Sequence, residues 1–175
     1  YIFIESDFFV YYRERLDLSS DTNNLSALVL MQGWDNAFLT LHQSPIGAGF
    51  QQYGISTIYG NISNKIFEML NIYINQFDGG ATAPKIIGEF GFFGILIVML
   101  YLVGWVRVFI AVRRERFNID KKTLLFSCFY LASFLEFFIR GAGYFTPGMF
   151  FLIVSVLYFI TNKVVRKEIS YETSH

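Results

Sequence analysis

Charge is scarce in this sequence. Only 16% of its 175 residues are Asp, Glu, Lys or Arg, 14 basic against 14 acidic, while 54% are hydrophobic. An ordinary soluble domain carries charge on about a quarter of its positions, so the shortage argues against a conventional water-facing surface. The even balance of sign, with no Lys/Arg stripe along one face, excludes nucleic acid as a partner. Cysteine is nearly absent too. Cys128 stands alone inside an apolar run, which removes both a disulfide framework and a thiolate metal site and leaves it a packing role. The first 90 residues hold no Asp-x-Asp pair, no His-x3-His pair and no carboxylate cluster, so neither a metal nor any other cofactor is expected.

What is abundant is apolar and aromatic: 21 Phe, 11 Tyr and three long oily runs. The spans are expected at about 91–112, 123–139 and 147–162. The first is free of charge from Phe90 through Val106, long enough for a core of roughly 30 Å at about 1.5 Å per residue. The second is shorter and carries Glu136; the third opens on Pro147, a favourable first helical residue. Residues 113–122 ("RRERFNIDKK") hold five basic side chains and residues 163–167 ("KVVRK") hold three. By the positive-inside rule both face the cytoplasm, as loop 113–122 and tail 163–175. Residues 1–90 and the short connection "RGAGYFTPG" (140–148) then lie outside. The sequence opens on Tyr, and residues 1–15 lack the pattern of a signal peptide, so it reads as the C-terminal portion of a longer membrane protein. The expected fold class is an all-α polytopic membrane protein, with three transmembrane helices preceded by a large helical loop region.

That outer region carries two amphipathic stretches. Apolar residues at Leu25, Leu28, Val29, Trp34, Phe38 and Leu41 recur at helical spacing from Leu25 to Gln43, with Asp21, Thr22 or Asn24 as cap and Pro45 as stop. The loop "SPIGAGFQQYG" (44–54) follows. A second stretch sets Ile62, Ile66, Phe67, Leu70, Tyr73, Ile74 and Phe77 against Asn64, Lys65, Glu68, Asn71 and Asn75, a pattern suited to the membrane interface. After "DGGATAP" (78–84), a helix restarts at Pro84 and should run unbroken into the first span.

Two charge pairs sit at the edge of the apolar runs. Lys85 and Glu89 are four apart, as are Glu136 and Arg140, so each pair shares one helical side. Either pair alone is as readily a local ion pair as a site. Ionisable groups beside spans are nonetheless functional candidates by default. With Arg13, Arg15 and His42 from the outer segment they would form an electropositive pocket containing carboxylates, suited to a lipid diphosphate. Fixed cations such as Arg140, Arg15 and Lys85 could stabilise a departing diphosphate without metal. A carboxylate or imidazole, Glu89 or His42, could take the proton of an attacking sugar hydroxyl.

The segments "HQSPIGAGFQQYG" (42–54), "APKIIGEFGFFGIL" (83–96) and "FLEFFIRGAGYFTPGMFF" (134–151) resemble parts of the bacterial O-antigen polymerases, or oligosaccharide repeat-unit polymerases. The combination of Lys-x3-Glu-Phe-Gly with Arg-Gly-x-Gly-Tyr-Phe carries the resemblance. Arg15, followed by Gly33-Trp34 and then Pro45, Gly47 and Gly49, is similar to the succession that opens the family's large outer loop, with Arg13 competing for that role. The resemblance implies an inner-membrane, metal-independent glycosyltransferase with its large loop in the periplasm. Such an enzyme transfers a growing glycan from undecaprenyl diphosphate onto an undecaprenyl-diphosphate-linked oligosaccharide repeat unit, in contact with membrane lipid and with a chain-length regulator and a flippase as partners. Glu136, Gly47, Gly49, Gln51 and Tyr144 would support the site. Family members have more spans than three. Related O-antigen ligases end the large loop with a histidine-rich motif, and the stretch "GGATAPKIIGEFG" has no histidine.

Plainer roles stand beside each feature. His42 fits a polar helix end, Gly88, Gly91 and Gly94 fit close helix packing, and Trp34, Tyr53 and Tyr59 fit either sugar stacking or an interfacial belt. A transporter or flippase subunit is the alternative from another class, with Glu136 and Arg140 lining a path. It should show pseudo-repeated broken spans and modest outer loops, neither of which is visible here.

Overall fold

The computed structural model describes residues 23–55, 60–114, 119–141 and 143–172, the last segment with side chains to 162. Among them are six helices and no strand: α1 Leu25–Gln43, α2 Asn61–Leu70, α3 Thr82–Phe90, α4 Phe92–Arg114, α5 Lys121–Phe138 and α6 Pro147–Glu172. The all-helical class follows directly from the periodicity. Of the three expected spans, each is met by a helix; by length and composition α4 is able to cross a bilayer, whereas the apolar part of α6, Pro147–Asn162, is shorter.

Local chemistry sets most helix ends. Asn24 caps α1, its side-chain oxygen accepting from Ser26 N at 3.1 Å. At the start of α2 the cap residue is Gly60, which has no side chain to offer. Its neighbour α1 supplies the acceptors: Asn36 Oδ1 takes the N–H of Gly60 and Asp35 Oδ2 takes that of Ile62, both at 3.3 Å. Orphan donors of a helix start are thus satisfied by a packed helix. The second amphipathic stretch was expected to continue to Phe77, but α2 stops at Leu70, where Asn71 turns left-handed (φ 54°). Asn tolerates that region better than most residues, because its short side chain bonds locally.

The expected continuous helix from Pro84 into the first span is broken. Gly91 adopts φ 57°, ψ −128°, a conformation closed to other L-residues, and a Cβ there would collide with the Pro45–Gly47 backbone. The loop at 45–49 fills the break. Ala48 N and Gly49 N donate to the carbonyls of Gly88 and Glu89, each at 2.9 Å, and Pro45 O accepts from Phe92 N at 3.0 Å. One loop therefore satisfies the last carbonyls of α3 and a first N–H of α4.

Packing centres on α3, which touches α1, α4 and α5 and is buried from Thr82 through Glu89. It ends at Phe90, the last residue before the expected boundary. Further along, α4 and α5 are joined by side-chain bonds to backbone: Trp105 Nε1 donates to Leu131 O at 3.0 Å and Tyr130 Oη to Tyr101 O at 3.2 Å. Tyr101 also stacks on Phe137, with ring centroids 4.1 Å apart. Outward faces of α4 and α6 are apolar and open, including Phe92, Leu96, Leu100, Phe150 and Leu157.

Candidate functional site

Lys85 and Glu89 come from successive turns of α3 and point into the protein, 6% and 1% exposed. They are not ion-paired. Lys85 Nζ donates to Phe77 O at 2.9 Å and lies 5.4 Å from the centroid of the Tyr144 ring. That ring face is electron-rich and attracts the ammonium. Tyr144 Oη in turn donates to Glu89 Oε2 at 2.8 Å. Tyr144 therefore stands between the two charges, held by both. Its backbone neighbour Gly143 (φ 94°) would bring a Cβ to 3.3 Å from Lys85 Nζ, so a side chain there would be strained and crowd the ammonium.

The Glu89 carboxylate is asymmetric. Oε2 is fixed by the phenol, while Oε1 is buried with no hydrogen-bond partner. A buried acceptor left open is uncommon, since desolvation without a partner costs about 1–3 kcal/mol. Tyr144 is pushed well above the usual phenol range, by burial first and then by its bond to Glu89 and that group's charge. Its proton therefore stays on the phenol, and Tyr144 remains a donor. Tyr53 is raised likewise, chiefly by burial, then by Asp35 and Glu89; its hydroxyl donates to Gly33 O at 2.8 Å. Buried and bonded in this way, Tyr53 supports the interface of α1 and α3 and offers no free ring for a sugar.

The Glu136–Arg140 pair is not formed either. Glu136 Oε1 accepts from the hydroxyl of Thr146, and Thr146 Oγ1 accepts from Met149 N at 3.2 Å. The carboxylate so lies at the start of α6, where the helix dipole favours negative charge. Arg140 is exposed. Its backbone N–H donates to Leu135 O at 2.8 Å, and its guanidinium makes no contact among the described residues, so its donor fork is open to an anion.

The remaining candidates separate into groups. Gly47 and Gly49 hold positive φ of 89° and 101° in the loop that closes α3, a structural task. Gln51 is exposed in the same loop at φ 58°. His42 stands exposed in the last turn of α1 and makes no bond to the cluster among the described residues. Arg13 and Arg15 lie outside the described residues, as does Tyr59. Gly88 faces the Tyr53 ring and Gly94 the Ile86 carbonyl, in keeping with close packing.

Two neighbours of the cluster carry no signal in the sequence. Phe50 stacks on Tyr144 with centroids 5.7 Å apart and planes at 14°, and meets Phe90 at 6.2 Å. As one phenylalanine among 21 it is invisible until the loop folds back. Thr82, fully buried with an unpartnered hydroxyl, is likewise unremarkable by type; the Gly141 backbone covers it. No group of three or more His, Cys, Asp or Glu among the described residues could hold a metal ion.

No family of known proteins matches the chain, and neither a curated protein nor a solved structure is significantly similar to it.

Proposed function

We propose that the chain is the C-terminal part of an inner-membrane glycosyltransferase that polymerises lipid-linked repeat units at the periplasmic face. In this reading α4, α5 and the apolar part of α6 cross the bilayer, and the region around α1–α3 covers the site outside it. The observation that carries the proposal is the Glu89 carboxylate: one oxygen fixed by a phenol, the other buried and unpartnered among the described residues. An acceptor hydroxyl oxygen attacks the anomeric carbon of the donor glycan. Its proton passes to Glu89 Oε1. The anomeric carbon–oxygen bond to undecaprenyl diphosphate breaks, and the electron pair leaves on the diphosphate. Arg140, exposed and with its planar fork uncontacted among the described residues, suits that anion better than an ammonium would. Lys85, close behind Tyr144, adds positive charge to the same site. Burial keeps the carboxylate from bulk water until substrate arrives.

The test is complementation. The parent gene is expressed in a strain that lacks its repeat-unit polymerase, and the surface polysaccharide is resolved as a ladder. Glu89→Gln should abolish the ladder at unchanged protein abundance, and Arg140→Lys should shorten it severely. Lipid-A cores bearing single repeat units with the wild-type gene, and no ladder, would overturn the polymerase reading. A normal ladder in Glu89→Gln would remove the carboxylate as proton acceptor.

A further inference from the structure

Phe50 is 55% exposed yet held in place. The peptide before it is tied to α3 by the bonds of Ala48 and Gly49 to Gly88 and Glu89, the peptide after it by Gln52 N donating to Gly49 O at 3.1 Å. Tyr144 and Phe90 hold the ring itself. The next residue, Gln51, sits at φ 58°, a left-handed conformation that non-glycine residues adopt at a cost and that clusters at ligand sites. Gln51 and Gln52 are both exposed. Each amide offers two donors and an acceptor. The loop so presents one fixed aromatic ring followed by two exposed neutral amides, next to the tyrosine that fixes Glu89.

That composition matches one ligand class. A pyranose has an apolar face of C–H bonds, which rests on the negative face of an aromatic ring, and a rim of hydroxyls, which pair with amides. Charged side chains are missing from this loop between Ser44 and Ile55, so it has no means to select an anion. We propose that Phe50, with Gln51 and Gln52, is the stacking platform for a neutral pyranose, the acceptor sugar whose hydroxyl is presented to Glu89. The inference rests on the polymerase reading for the sugar's role, though not for its binding. The other use of an exposed ring, insertion into the lipid interface, needs apolarity only and makes a different prediction.

Saturation-transfer NMR on the full-length protein in detergent, with a panel of methyl hexosides and methyl N-acetylhexosaminides as probes, separates the two. Transfer to at least one glycoside is expected in the wild type. In Phe50→Leu, which keeps the apolar volume, it should fall about fivefold, and in Phe50→Trp it should be retained. Gln51→Ala together with Gln52→Ala provides a second variant that leaves the aromatic cluster intact, and transfer should fall there too. Equal transfer in wild type, Phe50→Leu and the double glutamine variant, or none in the wild type, overturns the platform. The polymerase reading is judged separately, by the ladder of Glu89→Gln.

Discussion

Helices α3 and α4 are consecutive, separated by the single residue Gly91, and their surroundings are opposite. The short α3 carries a lysine and a glutamate and is buried from Thr82 to Glu89. The long α4 is apolar from its first residue to Val106, yet of its most hydrophobic 18-residue stretch only 11% is buried. In water the assignment would be reversed, because apolar surface is the part that folding removes from solvent. The inversion fits a chain whose outer solvent is apolar along α4, with Lys85 and Glu89 of α3 held inside. It also explains why α3 is wrapped by glycine contacts and a capping loop. A polar helix buried on all sides has no water to satisfy its ends, so protein backbone must do it.

The largest effect is expected at Leu100, 63% exposed near the middle of α4. On a water-facing surface Leu100→Arg would be within about 0.5 kcal/mol of neutral. Facing lipid at mid-span it should weaken insertion by about 3 kcal/mol. Quantifying the membrane-inserted fraction of the α4 segment in the full chain decides between them, and unchanged insertion would detach α4 from the bilayer.

On the α3 side the next largest effect is expected from Tyr144→Phe. That substitution removes the one hydrogen bond that the Glu89 carboxylate accepts among the described residues and leaves it buried without a partner there. Loss of a bond of this kind costs about 2 kcal/mol. In a cycle with Glu89→Leu, the double variant should recover much of the loss, since replacing both partners is far milder than stranding one. Thermal unfolding of the detergent-solubilised protein reads all four corners. Simple additivity would mean the phenol–carboxylate bond contributes nothing to the fold.

These two helices also show how far the sequence could be read. The bounds of helix α1 were legible, because a capping Asn24 and a stopping Pro45 agree, but its buried face was not: Ala27, Gln32, Gly33, Ala37 and Thr40 are buried with Leu28, whereas Leu25 and Phe38 of the expected apolar face are exposed. Pro147 opened α6 as expected. The break at Gly91 was not legible: a glycine between apolar runs is compatible with a continuous helix, and what bends the chain is a loop more than 40 residues upstream. Spacing failed for the charge pairs for the same reason. Four-residue separation establishes that Lys85 and Glu89, or Glu136 and Arg140, can meet. It cannot show that Tyr144 will come between the first pair or that Thr146, ten residues on, will take Glu136. The cluster's members Lys85, Glu89 and Tyr144 were named from their types and places, whereas Phe50 depended on tertiary folding alone.

The smallest expected effect lies at the start of α5, at Asp120. Its Oδ1 accepts from Lys122 N at 3.2 Å and its Oδ2 from Thr123 N at 3.0 Å, capping α5. Oδ2 also accepts from the Thr123 hydroxyl at 2.8 Å, and that hydroxyl is 2.8 Å from Tyr158 Oη of α6. The Thr123 and Lys122 backbone donors, with the Thr123 hydroxyl, hold the carboxyl below its ordinary value of 3.8. A group depressed on folding binds its proton more readily when unfolded, so its contribution to stability is complete above 3.8 and fades as pH falls through the lowered value. The cap is fully exposed to solvent, and the effect should be small beside those at Leu100 and Tyr144. Comparison of wild type with Asp120→Ala over acid pH, read by hydrogen exchange at the Lys122 and Thr123 amides, should show a difference at neutral pH that narrows below 3.8. A difference that stays constant to the lowest pH would mean that the neutral carboxyl caps α5 as well as the ion does.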